Sequence, residues 1–154
     1  MEYITSSDFH FKDTAVALGK FEGIHRGHQL LMDEVKKQEL HGLRSVVFTF
    51  DRPTRLTLTG DTEYKQIYTK KERREILEKR GIDILIEHPF TKEFAALTPD
   101  RFIREVLVEK VGAKVIVVGT DFHFGKNRSG SIADLEKLEE ECGCLLYTSD
   151  AADE

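Results

Sequence analysis

The fold is decided by residues 15–28, which read AVALGKFEGIHRGH. Four apolar residues lead into a segment that carries three glycines and two histidines. Glycine permits tight turns and lets the backbone approach a ligand closely. His25 and His28 are three residues apart at the start of a predicted helix, so they face the same way. This stretch therefore predicts a strand, a turn that can approach a ligand, and the beginning of a helix.

Short apolar runs recur at nearly regular spacing along the rest of the chain. They predict strands at Thr14–Leu18, Arg44–Phe50, Ile82–Ile86 and Lys114–Val118. Helical patterns lie between and after them, at Gly27–Leu40, Thr69–Arg80, Thr98–Lys110 and Ser131–Glu141. Alternation of strands and helices predicts an α/β fold with a parallel sheet and helices on both faces. The stretch Asp51–Gln66 has no clear periodicity and is predicted to be a functional loop.

Composition and charge exclude several classes of protein. With 154 residues, 40% hydrophobic and 33% charged, the chain is typical of a globular domain. Its formal net charge of -5 argues against binding along a nucleic-acid backbone. No apolar run approaches the ~20 residues of a membrane span, and no secretory signal is recognisable at Met1–Ser7. Two cysteines do not make a disulfide framework, so we expect a cytoplasmic protein.

The two histidines admit three interpretations. A helix N-terminus offers free N–H groups and a partial positive charge, and imidazoles there can donate hydrogen bonds to phosphate. The second possibility is that the two histidines are metal ligands, although no third ligand follows at a recognisable zinc spacing. A helix cap or a surface position is the third. The segment is neither a P-loop nor a dinucleotide-binding Gly-x-Gly-x-x-Gly.

A second glycine-punctuated loop, GTDFHFGKNRSG at residues 119–130, follows the fourth predicted strand. Open α/β sheets bind ligands at the carboxyl ends of their strands, where the strand order reverses. Phe122 and Phe124 could line an apolar pocket for a ring, or they could close the end of the core.

Together these two loops resemble the signatures of the nucleotidyltransferase module of bacterial FAD synthetase. Residues 19–28 look like Gly-x-Phe-Asp-Gly-x-His-x-Gly-His, and residues 119–130 look like Gly-x-Asp-Phe-x-Phe-Gly with a later Gly. The stretches VFTFD (47–51) and LTPDRF (97–102) match as well. The resemblance covers about residues 14–141. It implies a Rossmann-like parallel sheet of the His-x-Gly-His nucleotidyltransferase superfamily, ordered 3-2-1-4-5.

The resemblance also implies a reaction and roles for particular residues. AMP would pass from ATP to FMN, giving FAD and pyrophosphate, with Mg²⁺ on the phosphates and no protein ligand assigned to the metal. The catalytic residues would be His25 and His28. ATP phosphates would lie against Gly19, Phe21, Gly23 and Gly27. The flavin side would be formed by Asp121, Phe122, Phe124 and Asn127.

Several features depart from the family pattern. Glu22 stands where Asp is usual, residues 51–54 lack the common Pro-His-Pro, and His123 replaces a frequent Arg. A later Ser-Ser-Thr-x-x-Arg phosphate motif and a riboflavin kinase barrel are not in the sequence. Residues 144–154 resemble the translation of a transposon-end sequencing adapter, which is excluded from fold reasoning.

We therefore expect a partial FMN adenylyltransferase domain at 1–143, an adapter-derived tail at 144–154, and a natural protein that continues past Gly143. The last strand or strands would be missing, which would leave Lys114–Val118 as an exposed edge strand. We expect weak nucleotide binding and little turnover from such a fragment.

The alternatives are a nucleotidyltransferase with another phosphate acceptor, such as pantetheine phosphate or nicotinate mononucleotide, and a nucleotide- or flavin-binding module without catalysis. A metal-binding structural protein, which rests on the two histidines alone, is a weaker possibility. The expected partners are ATP, FMN and a riboflavin kinase domain in cis, with no nucleic acid and no membrane.

Overall fold

The structure is a computed structural model that describes residues 1–19, 26–50, 70–119, 130–142 and 144–149. The predicted loop Asp51–Gln66 and residues 120–129 lie outside this part of the chain. Within the described residues, no helix is long and apolar enough to cross a membrane.

In the described part of the chain, six strands form one parallel sheet in the order β1-β4-β3-β2-β5-β6. Their bounds are β1 Glu2–Ile4, β2 Thr14–Leu18, β3 Arg44–Phe50, β4 Ile84–His88, β5 Ala113–Gly119 and β6 Leu145–Ser149. The four predicted strands are β2 to β5, and their order matches the one that the family resemblance implies. Strand β4 begins two residues later than expected. The sequence did not predict β1, which pairs with β4 along the outer edge.

The sheet is buried on both faces, which explains why its central strands are nearly continuous runs of apolar residues. All five residues of β2 are buried. Val16 and Leu18 face one hydrophobic cluster, and Ala15 and Ala17 face the other. The α/β fold with helices on both faces is therefore confirmed.

Helices cover the two faces. They are α1 Arg26–Lys37 with a 3-10 turn Gln38–His41, α2 Lys70–Lys79, α3 Lys92–Ala95, α4 Pro99–Arg101, a π-helix Phe102–Lys110 and α5 Ile132–Cys142. Thr98 caps α4 as predicted, since its hydroxyl accepts the N–H of Arg101 at 3.3 Å. The predicted helix Thr98–Lys110 continues as a π-helix, in which the N–H of Val111 donates to the carbonyl of Val106 at 2.9 Å.

The chain after Gly143 is part of the sheet. Residues Leu145–Ser149 form β6 and pair in register with β5, from Val115↔Leu145 to Gly119↔Ser149. Cys144 is buried, and its thiol donates to the carbonyl of Ala113 at 3.1 Å. The expectation that Lys114–Val118 is an exposed edge strand is therefore wrong, because β6 covers it. The adapter origin of residues 144–154 stays a prediction.

Candidate functional site

The two glycine-bearing loops leave the sheet side by side. Gly119 is the last residue of β5, and Gly19 directly follows β2. Strands β2 and β5 are parallel neighbours with Ala17 opposite Val117, so each loop begins two residues further along. The N–H of Gly19 also donates to the carbonyl of Phe48 on β3 at 3.4 Å. The chain crosses from β2 to β3 on one side, while β5 lies on the other, so this is the point where the strand order reverses.

Helix α1 begins close to the end of β2. Residues 20–25 connect Gly19 to Arg26, and Gly27 and His28 lie in the first turn of the helix. The helix packs against β2, β3 and β5 through the buried side chains of Leu31, Met32 and Val35. Its N-terminus, with the unpaired N–H groups of a first turn, is thereby held near the carboxyl ends of these strands.

The structure describes only some of the predicted site residues. Gly19, Gly27 and the backbone of His28 are described, and they lie at one edge of the sheet. The others lie outside the described residues: Phe21, Gly23, His25, Asp121, Phe122, Phe124 and Asn127. Their roles therefore stay predictions.

A buried ion pair near the carboxyl ends of the strands was not predicted. The guanidinium of Arg73 on α2 contacts the carboxylate of Glu87 on β4, and the side chains are 8% and 1% exposed. By sequence alone, the mixed charges of residues 70–74 predict a solvated helix face. The burial of Arg73 makes that prediction wrong at this residue. The available signal was Glu87 itself, a carboxylate that directly follows the apolar run Ile84–Ile86.

Burial also changes the acidity of this carboxyl group. Desolvation disfavours the charged form and raises the pKa of Glu87 to about 7. The neighbouring guanidinium of Arg73 acts in the opposite direction, because it favours the carboxylate. Glu87 is thus a carboxyl group whose charge is set by the balance of burial and pairing.

Aromatic rings gather at the ends of β3 and β4. Phe50 lies 4.8 Å from Phe90 and 5.8 Å from Phe94 between ring centroids, and His88 lies 4.3 Å from Phe94. A cavity of about 480 Å³ adjoins this cluster, and its lining includes Ser7, His88, Thr91, Phe94, Leu97 and Val106. Glu93, Glu105, Glu109 and Lys110 also line it, so the cavity combines apolar and charged side chains. His88, whose ring lies within this cluster, has no predicted role.

Metal ligands are not clustered in the described part of the chain. No group of three or more His, Cys, Asp or Glu side chains there could hold a metal ion.

Comparisons with known proteins agree with these features. A sequence model of the family described as FAD synthetase matches residues 8–154. A putative bifunctional riboflavin kinase/FMN adenylyltransferase of Geobacillus thermodenitrificans is 34% identical over 125 residues, which are 80% of this chain and 67% of that protein. The Listeria monocytogenes protein named as the bifunctional enzyme is 31% identical over 89% of this chain and 44% of its own length. The corresponding Escherichia coli K12 protein is 32% identical over 83% and 41%.

A solved structure shares the fold over most of the chain. It is titled a macrolide-efflux protein from Streptococcus pneumoniae, and it superposes with a TM-score of 0.77 at 27% identity over 97% of this chain and 51% of that one. The word efflux in that title describes that protein alone, and the likeness to this chain is one of fold. Apart from the Geobacillus protein, this chain spans about half of each of these proteins or less.

Proposed function

Because this chain belongs to the FAD synthetase family, we propose that it is the FMN adenylyltransferase module of a longer flavin-forming protein. An oxygen of the FMN phosphate attacks the α-phosphorus of ATP. A new P–O bond forms, the bond to the β-phosphate breaks, and the products are FAD and pyrophosphate. The longer protein would also carry a riboflavin kinase domain, and the reaction would take place in the cytoplasm.

One observation carries the proposal. The ends of β2 and β5, from which the two glycine-bearing segments continue, and the N-terminus of α1 lie together at the carboxyl ends of the parallel strands. A transferase that joins two phosphate-bearing substrates needs both phosphates at one point, and alignment accounts for much of such catalysis. Free N–H groups at the start of α1 supply the positive end of a helix dipole there.

The proposed roles follow this placement. His28, in the first turn of α1, and His25, just before the helix, would donate hydrogen bonds to the charge that develops on the leaving pyrophosphate. Gly27, the second residue of α1, has no side chain at the helix N-terminus. Gly19, Phe21 and Gly23 would let the ATP phosphates lie against the backbone.

The flavin would lie across the carboxyl ends of β3, β2 and β5. Asp121, Phe122, Phe124 and Asn127 would contact it from the loop after β5. The aromatic cluster around Phe50 and Phe94 offers apolar surface at the carboxyl ends of β3 and β4, and a flat ring can stack or pack edge-on against such rings. Mg²⁺, held on phosphate oxygens, would neutralise part of their charge.

Replacing the histidine at the helix start tests the proposal. FAD formation from FMN and ATP is measured with this chain and with a version extended from its source gene to the length of the relatives. We expect His28→Ala to reduce kcat/KM at least tenfold in the extended protein, about 1.4 kcal/mol of transition-state stabilisation. A smaller loss overturns the role of His28.

His41→Ala is the matched control. His41 is an exposed histidine at the end of the 3-10 turn that follows α1. It should leave FAD formation unchanged, so a loss shared by both variants would point to general damage to the helix.

A further inference from the structure

The packing of α2 on β4 does not by itself explain the buried ion pair between Arg73 and Glu87. Arg73 Nε donates to Glu87 Oε2 at 3.0 Å, and Nη2 contacts the same oxygen. Removing two charges from water is costly, and an apolar pair of similar volume is often equally stable or more so. Stability alone therefore does not account for a buried pair at this place.

The guanidinium makes a further bond to the main chain. Arg73 Nη2 donates to the carbonyl of Phe50 at 3.1 Å. Phe50 is the last residue of β3, after which residues 51–69 follow. Two residues earlier on the same strand, the carbonyl of Phe48 accepts the N–H of Gly19. Arg73 thus holds the end of the strand that borders the start of the first glycine-rich loop.

The carboxylate is held from the other side as well. The hydroxyl of Tyr3, on the edge strand β1, donates to Glu87 Oε1. The guanidinium of Arg74 lies 4.3 Å from the centre of the Tyr3 ring, a cation–π distance. Glu87 is therefore fixed by β1 and α2 together, and it fixes Arg73 in turn.

We propose that Arg73 is a positioning residue for the acceptor side of the transfer site, acting through the carbonyl and ring of Phe50. Held by Glu87 and Tyr3, Arg73 sets the direction in which the chain leaves β3 and the place of the Phe50 ring against Phe90 and Phe94. The inference rests on the proposed function, since it assigns that aromatic side to the flavin.

The test separates positioning from stability by removing both charges at once. The double variant Arg73→Met/Glu87→Leu leaves no unpaired buried charge, so we expect its thermal midpoint to stay close to that of the wild type. It still lacks the donor to Phe50. We expect the Kd for FMN, titrated by flavin fluorescence, to rise roughly tenfold. If the double variant binds FMN with wild-type affinity, the pair is merely structural and the proposal is overturned.

Arg73→Lys provides an independent variant if the double variant does not fold. Lysine keeps the charge beside Glu87 but presents a single point donor in place of a planar fork. It should pair with Glu87 and lose the bond to Phe50. We expect weaker FMN binding with a folded chain, and unchanged binding would contradict the proposal.

Arg44→Met is the matched control. Arg44 is the first residue of β3 and pairs with Glu2 at 2.9 Å, but these side chains are 43% and 52% exposed. Exposed pairs contribute little, so FMN binding should be unchanged.

Hydrogen exchange separates failure of the inference from failure of the proposed function. If Arg73 anchors the end of β3, backbone amides in peptides spanning residues 48–52 exchange faster in the double variant with no flavin present. If the wild type does not bind FMN but this exchange still increases, the proposed function fails and the anchoring role stands. Unchanged exchange overturns the inference.

Discussion

Gly112 and Gly42 both have positive φ, +67° and +80°, in very different surroundings. A Cβ at Gly112 would lie 2.2 Å from the carbonyl oxygen of Phe11, whereas nothing lies within 4 Å of one at Gly42. Gly42→Ala should cost about 1 kcal/mol, the strain of a left-handed backbone. Gly112→Ala should cost roughly 3 kcal/mol, because the backbone before β2 must also move. Urea unfolding measures both, and equal costs would contradict the close approach.

Glu87 gives stability a pH dependence of defined sign. Burial raises the pKa of its carboxyl group to about 7 in the folded chain, from an ordinary value of 4.5. Between these values the folded state holds a proton that the unfolded state has lost. The free energy of unfolding should therefore fall as pH rises from about 4.5 to 7.

Glu87→Gln should remove that part of the pH profile. The measurement is the difference in unfolding free energy between wild type and variant at several pH values. A difference that grows in favour of the wild type as pH rises would show that pairing with Arg73 outweighs burial.

Strand β6 is the element on which sequence and structure differ most. Leu146 packs against the hydrophobic cluster that contains Val16 and Leu18, whereas Leu145 is 52% exposed. If β6 pairs as described, Leu146→Ala should cost about 2 kcal/mol and Leu145→Ala less than about 0.5 kcal/mol. Thermal unfolding of the two variants measures this contrast, and equal small effects would mean that β6 does not pack on the sheet.

Each missed element has a physical reason. The central strands were predictable because burial on both faces demands continuous apolar runs. Strand β1 has three residues, too few for a pattern, and β6 was set aside because its sequence resembles an adapter. The π-helix places Phe102, Ile103, Val106 and Leu107 in the core, and this apolar spacing equally fits an α-helix. Arg73 was missed because a charged helix does not reveal which of its charges a neighbouring strand will bury.

At the scale of the whole molecule, the strand order brings distant parts of the sequence together. Gly19, which directly follows β2, and Gly119, the last residue of β5, lie one hundred residues apart in the chain but at the ends of neighbouring strands. The family resemblance predicts this meeting point, because it implies the order 3-2-1-4-5. The sequence also placed His28 at the start of α1, which the structure confirms, while the catalytic role of His28 stays a prediction. The Arg73–Glu87 pair could not be predicted, since it depends on how α2 packs over β4.

Product analysis with competing acceptors tests the central claim most directly. The protein, extended from its source gene to the length of the relatives, is given ATP with FMN, pantetheine phosphate and nicotinate mononucleotide together, and the adenylylated products are identified by mass spectrometry. The account predicts FAD and pyrophosphate as the main products, with FMN suppressing adenylylation of the other two acceptors. Adenylylation of another acceptor in preference to FMN, or binding of ATP and FMN with no product, would contradict it.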